Sequence, residues 1–152
     1  MTQEDLQILL VEDNPKDVKL TMLALSEENL ANTIRVVRDG EEALDFLFCR
    51  GQFAGRSFDH PPRLVLLDLK LPKVDGLEIL RAVKGDPRTK AIPVVVLTSS
   101  REESDLVASY KLGVNAYIQK PVEFESFRNA VKQLGLFWLV VNEPLPSSSF
   151  RA

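Results

Sequence analysis

Asp68 stands directly behind the apolar run Leu64-Val65-Leu66-Leu67, in the stretch LVLLDLKLPKVDG. Such a run belongs to a strand buried on both faces, where a carboxylate is costly unless a cation or hydrogen bonds compensate it. Two more carboxylates, Glu12 and Asp13, follow the apolar run QILLV. A hydroxyl, Thr98, ends IPVVVLT, and an ammonium, Lys120, precedes Pro121 in NAYIQKP. If these groups converge, the three carboxylates raise one another's pKa unless a cation neutralises them. Oxygen donors alone, with few carboxylates and room for water, suit Mg2+ better than zinc. A protonated lysine cannot ligate the metal, and pairs instead with a carboxylate or a phosphoryl group. Taken singly, each position has a plainer reading. Glu12-Asp13 can be a solvated turn or helix cap, Thr98 a strand-end partner for backbone groups, and Lys120-Pro121 an ordinary loop. The joint pattern at strand ends carries the functional reading.

Five apolar, β-branched-rich runs alternate with five helical patterns, and this alternation must position those residues. The strands are expected at 7–11, 33–37, 63–68 and 92–98, with a short fifth in NAYIQKP ended by Pro121. The helices are expected from Pro15 to about Glu28, over 41–49, from Asp75-Gly76 to about Gly85, over 101–112, and from near Glu123 onward. Asn14-Pro15 supplies an N-cap and a proline suited to a first turn, and Val18, Met22 and Leu25 recur at helical spacing. RGQFAGRSFDHPP, 50–62, reads as a long loop with a solvated His60. Cys49 reads as a small hydrophobe on the second helix. Strands alternating with helices predict an α/β fold with a parallel sheet covered on both faces, and ligands bind outside the carboxyl ends of such strands. Glu12, Asp13, Asp68, Thr98 and Lys120 all fall on that edge.

Composition narrows the classes further. A net charge of −3 gives no nucleic-acid surface, and no apolar stretch is long enough to span a membrane. The acidic N-terminus MTQEDLQILL is unlike a secretory signal, so a cytoplasmic protein is expected. One cysteine excludes an internal disulfide, and one histidine excludes a His-rich metal site. The organisation expected is a single domain over 1–141 that includes an extended last helix, then a flexible tail over 142–152.

The segments LLVEDN, VVRDGEEAL, LVLLDLKLPKVDGLEIL, IPVVVLTSS and GVNAYIQKP, in this order and spacing, resemble the receiver domain of two-component response regulators, the chemotaxis-regulator type. The resemblance covers roughly residues 5 to 138. It implies a flavodoxin-like three-layer α/β/α fold with a five-stranded parallel sheet of order 2-1-3-4-5. It also implies a phosphorylation switch in a phosphorelay, in a signalling protein rather than an enzyme, with limited self-catalysed phosphorylation and dephosphorylation. Asp68 is then the phosphoacceptor, taking its phosphoryl group from a sensor histidine kinase. Mg2+ is then bound by Asp13 and Asp68, by Glu12 through water, and by the backbone carbonyl of Lys70. The family more often has aspartate where Glu12 stands. Lys120 is implied as the partner of the phosphoryl oxygens, with a cis bond to Pro121, and Thr98 and Tyr117 as the switch. Without the resemblance, Tyr117 reads as a half-buried aromatic at a strand edge. Lys70 and Ser100 flank the site where the family tunes dephosphorylation.

The C-terminal stretch bears on output. Phe124, Phe127, Val131, Leu134, Trp138 and Val141 are spaced 3, 4, 3, 4 and 3, and LFWLVV is apolar around most of a helical circumference. Such a patch marks a protein interface. A homodimer through helix five and its extension is expected, with Tyr110, Phe137, Trp138 and Val141 in contact and neither nucleic acid nor membrane as partner. The FWL ending and the 50–62 loop are similar to stand-alone regulators paired with bacterial phytochrome histidine kinases. Two other readings share some of these residues: a Mg2+-dependent phosphohydrolase with an aspartate nucleophile, and a non-phosphorylated receiver scaffold. Hydrolases of the haloacid-dehalogenase type want an acid two residues after the nucleophile, where Lys70 stands. The scaffold reading leaves Asp13, Asp68, Thr98 and Lys120 without a purpose.

Overall fold

Pleating sends alternate residues of each apolar strand to opposite faces, and here both faces are covered. The computed structural model describes residues 8–26, 34–71 and 73–135. The strands are β1 Ile8–Val11, β2 Ile34–Val37, β3 Leu64–Asp68, β4 Val94–Thr98 and β5 Ala116–Gln119. Between and after them lie α1 Pro15–Leu25, α2 Gly40–Leu47, α3 Gly76–Gly85, α4 Arg101–Ser109 and α5 Phe124–Gln133. All pairings are parallel, in the order β2-β1-β3-β4-β5. The flavodoxin-like order implied by the sequence is the one found.

Leu9, Val11, Val65, Leu67, Val94 and Val96 form one core with residues of α2, α3 and α4, among them Phe46, Leu80 and Val107. Ile8, Leu10, Leu64, Leu66, Val95 and Leu97 form the other with Val18 and Leu25 of α1 and Phe127 and Val131 of α5. The result is three layers, α1 and α5 on one side of the sheet and α2, α3 and α4 on the other. Burying each such Leu or Ile contributes about 1.5–3 kcal/mol, so the sheet centre is the rigid part of the molecule.

The helices α1 to α4 each start on a side-chain cap, whereas Glu123 at the start of α5 makes none. Asn14 Oδ1 accepts from the N–H groups of Lys16 and Asp17 at 2.8 and 3.2 Å, and Asp39 Oδ1 from Glu42 at 2.8 Å. Asp75 Oδ1 accepts from Glu78 at 3.0 Å, and Ser100 Oγ from Glu103 at 3.1 Å. These bonds satisfy orphan donors at the helix starts and fix where each helix begins. Close packing requires glycine at position 76. A Cβ there would meet Leu69 Cα at 2.5 Å and the Asp68 carbonyl oxygen at 2.7 Å, so α3 approaches the end of β3 closer than any side chain allows.

Three local differences from the sequence expectation have physical causes. The 50–62 segment is not wholly solvated. Gly51–Phe53 forms a short 3-10 turn that buries Phe53 against Phe46, with ring centroids 5.0 Å apart. Arg56 ties the segment down by donating to the carbonyl oxygens of Phe46 and His60, while His60 itself is exposed as expected. Cys49 lies past the end of α2 rather than on it, with φ 55° and its Sγ 3.7 Å from Arg56 Nη1. At the other end, α5 closes on Leu134 with Gly135 left-handed at φ 76°. Phe137, Trp138 and Val141, and the expected tail 142–152, lie outside the described residues.

Candidate metal centre

Strand register brings the site together. Leu10 pairs with Leu66 and Val11 with Leu67, so the next positions, Glu12 and Asp68, meet at the end of the β1–β3 ladder. The Glu12 N–H donates to the Val37 carbonyl at 3.0 Å, extending the β1–β2 ladder one residue and burying Glu12 completely. Asp68, last residue of β3, is 4% exposed. Strand alternation puts Glu12 after Ile8 and Leu10, Asp68 after Leu64 and Leu66, and Lys120 after Ala116 and Ile118, all on the α1/α5 face. Asp13 is exposed beside them, and carboxylate oxygens of Glu12, Asp13 and Asp68 lie within 4.8 Å of one another.

Lys120 closes the group. Its N–H donates to the Thr98 carbonyl at 2.7 Å, continuing the β4–β5 ladder, and its bond to Pro121 is cis. Its Nζ lies 3.3 Å from Asp68 Oδ1, 3.4 Å from Glu12 Oε1 and 3.1 Å from Asp17 Oδ2. Burial pushes the Glu12 pKa up to about 7, helped by the charge of Asp68 and a hydrogen bond with it, and Lys120 only partly offsets this. For Lys120, burial pulls the pKa down, but the bond to Asp17 and the charges of Asp68, Glu12 and Asp17 prevail and hold it well above the ordinary lysine value. The pocket thus has more negative charge than its one ammonium neutralises. An oxygen-only set of this kind fits a divalent cation, which would let Glu12 ionise.

The remaining sequence candidates divide into two groups. Thr98 is buried at the end of β4 and shares the α2–α4 face with Val94 and Val96. Tyr117 pairs with Val96 and packs against that same core, half-buried, and burial raises its phenol pKa. The two therefore stand on one face, across the sheet from the Asp68 side chain. Lys70 is exposed, and its N–H approaches Asp68 Oδ1 at 3.5 Å. Ser100 is occupied in capping α4, while Glu103 Oε1 accepts from the Ser99 N–H at 2.8 Å and fastens the loop after Thr98. Tyr110 is 45% exposed at the end of α4, with Arg81 over its ring at 5.7 Å. Sequence reasoning passed over Asp17, the nearest carboxylate to Lys120. Asp17 stands in the first turn of α1, where a carboxylate equally suits the helix dipole, so its position alone does not point to Lys120.

Residues 8–132 match the model of the response regulator receiver domain. The chain belongs to the response regulator receiver family. Response regulator Rcp1 of Synechocystis sp. is 41% identical to this receiver over 132 residues, 87% of this chain and 88% of Rcp1. A solved structure of the bacteriophytochrome response regulator AtBRR is 58% identical, covers 91% of this chain and 99% of its own, and superposes with a TM-score of 0.83. That of RtBRR, also a bacteriophytochrome response regulator, is 54% identical over 95% of this chain and 87% of its own, again at 0.83. Rcp1 is also known in a manganese-bound form, which is 40% identical, covers 91% of this chain and 98% of its own, and superposes at 0.69. Among the described residues of this receiver, no helix is long and apolar enough to cross a membrane.

Proposed function

We propose that Asp68 accepts a phosphoryl group from a phosphohistidine of a sensor histidine kinase in a Mg2+-dependent reaction. The observation that carries this reading is one nearly buried carboxylate, held between two others and 3.3 Å from an ammonium, at the end of the central strand of a receiver. An Asp68 oxygen attacks phosphorus, the P–N bond breaks, and its electron pair leaves with the imidazole nitrogen. Mg2+ would be held by Asp13 and Asp68, by Glu12 through water and by the Lys70 carbonyl, and when bound it offsets the charge gathering on the phosphoryl oxygens. Lys120 pairs with those oxygens from the other side.

Thr98 and Tyr117 serve as the switch in this reading. The hydroxyl of Thr98 turns toward the phosphoryl group and leaves room for Tyr117 on the α4 side of the sheet. Their common face supports the pairing. Output is a changed protein surface, and we propose a homodimer through α5 and the segment that follows it, with Tyr110, Phe137, Trp138 and Val141 in contact. Residues 1–141 would form the one domain and 142–152 a tail. The likeness to bacteriophytochrome response regulators supports a phytochrome-type light sensor as the kinase, and a cytoplasmic location follows from that partner. Limited self-catalysed phosphorylation from small donors and self-dephosphorylation belong to the same site.

Incubation with radiolabelled phosphorylated phytochrome-type kinase, with and without Mg2+, tests the proposal. Label should pass to the wild type only with the metal, and not to Asp68→Asn. Transfer to Asp68→Asn at the wild-type rate would overturn the assignment.

A further inference from the structure

The resting site gives Lys120 three carboxylates, and the nearest of them is not one of the three that cluster as metal ligands. Asp17 Oδ2 lies 3.1 Å from Nζ, against 3.3 Å for Asp68 and 3.4 Å for Glu12. We infer that Asp17 is a positioning residue for phosphoryl transfer, acting through Lys120. The inference rests on Asp68 being the phosphoacceptor.

A metal ion competes for the oxygens of Glu12 and Asp68, and a phosphoryl group ties up an oxygen of Asp68. Asp17 is engaged by neither event, so it is the one anchor of the ammonium that persists through the reaction. Its own placement is firm, since its N–H donates to the Asn14 cap at 3.2 Å in the first turn of α1. That helix covers the face on which Glu12, Asp68 and Lys120 project. Without Asp17, the ammonium rests on Asp68 and Glu12 alone, pairing more fully with the very oxygen that must attack. A lysine side chain has four rotatable carbons and a point charge, so an orienting partner decides where that charge sits. Asp17 is 27% exposed at its side chain, which leaves it at the rim, within reach of solvent and clear of the nucleophile's path.

Phosphoramidate is the donor for the test. An Asp68 oxygen bonds to phosphorus, the P–N bond breaks, and ammonia leaves with the electron pair after taking a proton from water. Initial rates are measured at saturating Mg2+, so that weakened metal binding is separated from slowed transfer. Asp17→Ala should slow transfer about tenfold, the effect of roughly one charge-assisted hydrogen bond. Asp17→Glu, which restores the carboxylate on a longer stem, should recover most of the rate. Asp86→Asn, which removes an exposed pair with Arg88 far from the site, should leave it unchanged. A purely structural role for Asp17 predicts a lower unfolding midpoint with no recovery by glutamate. Wild-type rates for Asp17→Ala, or equal slowing in Asp17→Glu and Asp17→Ala, would overturn the inference. A wild type that takes no label at all would overturn the phosphoacceptor assignment, and the inference with it.

Discussion

Glu12 is a residue whose chemistry is strongly altered by its surroundings. Burial beside Asp68 raises its pKa to about 7, against 4.5 for the unperturbed group. Between those values the folded chain holds a proton that the unfolded chain has lost, so stability is present in full below about pH 4.5 and declines as pH rises through about 7. In EDTA, urea midpoints should therefore fall from pH 5 to pH 7.5, by at most about 3 kcal/mol in unfolding free energy. Glu12→Gln should flatten that slope, and a midpoint that rises across the window would contradict the buried, like-charged environment. Lys120 stays charged throughout this range, so it does not compensate. The same residue shows how far a sequence can be read. Glu12, Asp68 and Lys120 were legible as strand-end groups because four or more apolar residues precede two of them. Their meeting on one face was legible too, by counting alternate positions. Asp17 was not, because a carboxylate in a first helical turn looks the same whether it serves the helix dipole or a lysine from another strand.

At the scale of elements, the approach of α3 to β3 fixes the phosphoacceptor's backbone. Gly76→Ala would drive a Cβ into the Leu69 Cα and the Asp68 carbonyl oxygen, both backbone atoms that cannot swing aside. A loss of about 1–3 kcal/mol in urea unfolding is expected, with slowed phosphorylation because the end of β3 must shift. Full stability would contradict the close approach. Ser100→Ala removes the cap of α4 and should cost about 1 kcal/mol, leaving the Glu103 bond to the Ser99 N–H as the remaining restraint. Element order, sheet direction and helix starts were readable because caps and apolar periodicity are local. The 50–62 segment read only as a loop because its anchor, Phe53 against Phe46 with Arg56 over the latter ring at 3.7 Å, is a contact between residues that local pattern does not pair. Cys49 was misplaced for a related reason. Nothing in its side chain announces the left-handed residue that ends α2.

For the whole molecule, the two cores hold the sheet rigid while one edge gathers more carboxylates than Lys120 neutralises. Metal binding to the folded chain alone stabilises it by mass action, about 2.7 kcal/mol at a hundredfold excess over the dissociation constant. Mg2+ should therefore raise the thermal midpoint of the wild type and do much less for Asp13→Asn, as read by differential scanning calorimetry. An equal rise in both would place the ion elsewhere. The proposed dimer belongs to this scale as well. Sedimentation equilibrium at micromolar concentration should give a dimer, and a clean monomer with and without phosphorylation would contradict it. The central claim is that Asp68 is the residue on which the signal is written. Intact-mass analysis after incubation with phosphoramidate and Mg2+ tests it most directly. The wild type should gain one alkali-labile phosphoryl group, and Asp68→Asn none. An unchanged wild-type mass, or the same gain in Asp68→Asn, would contradict the account.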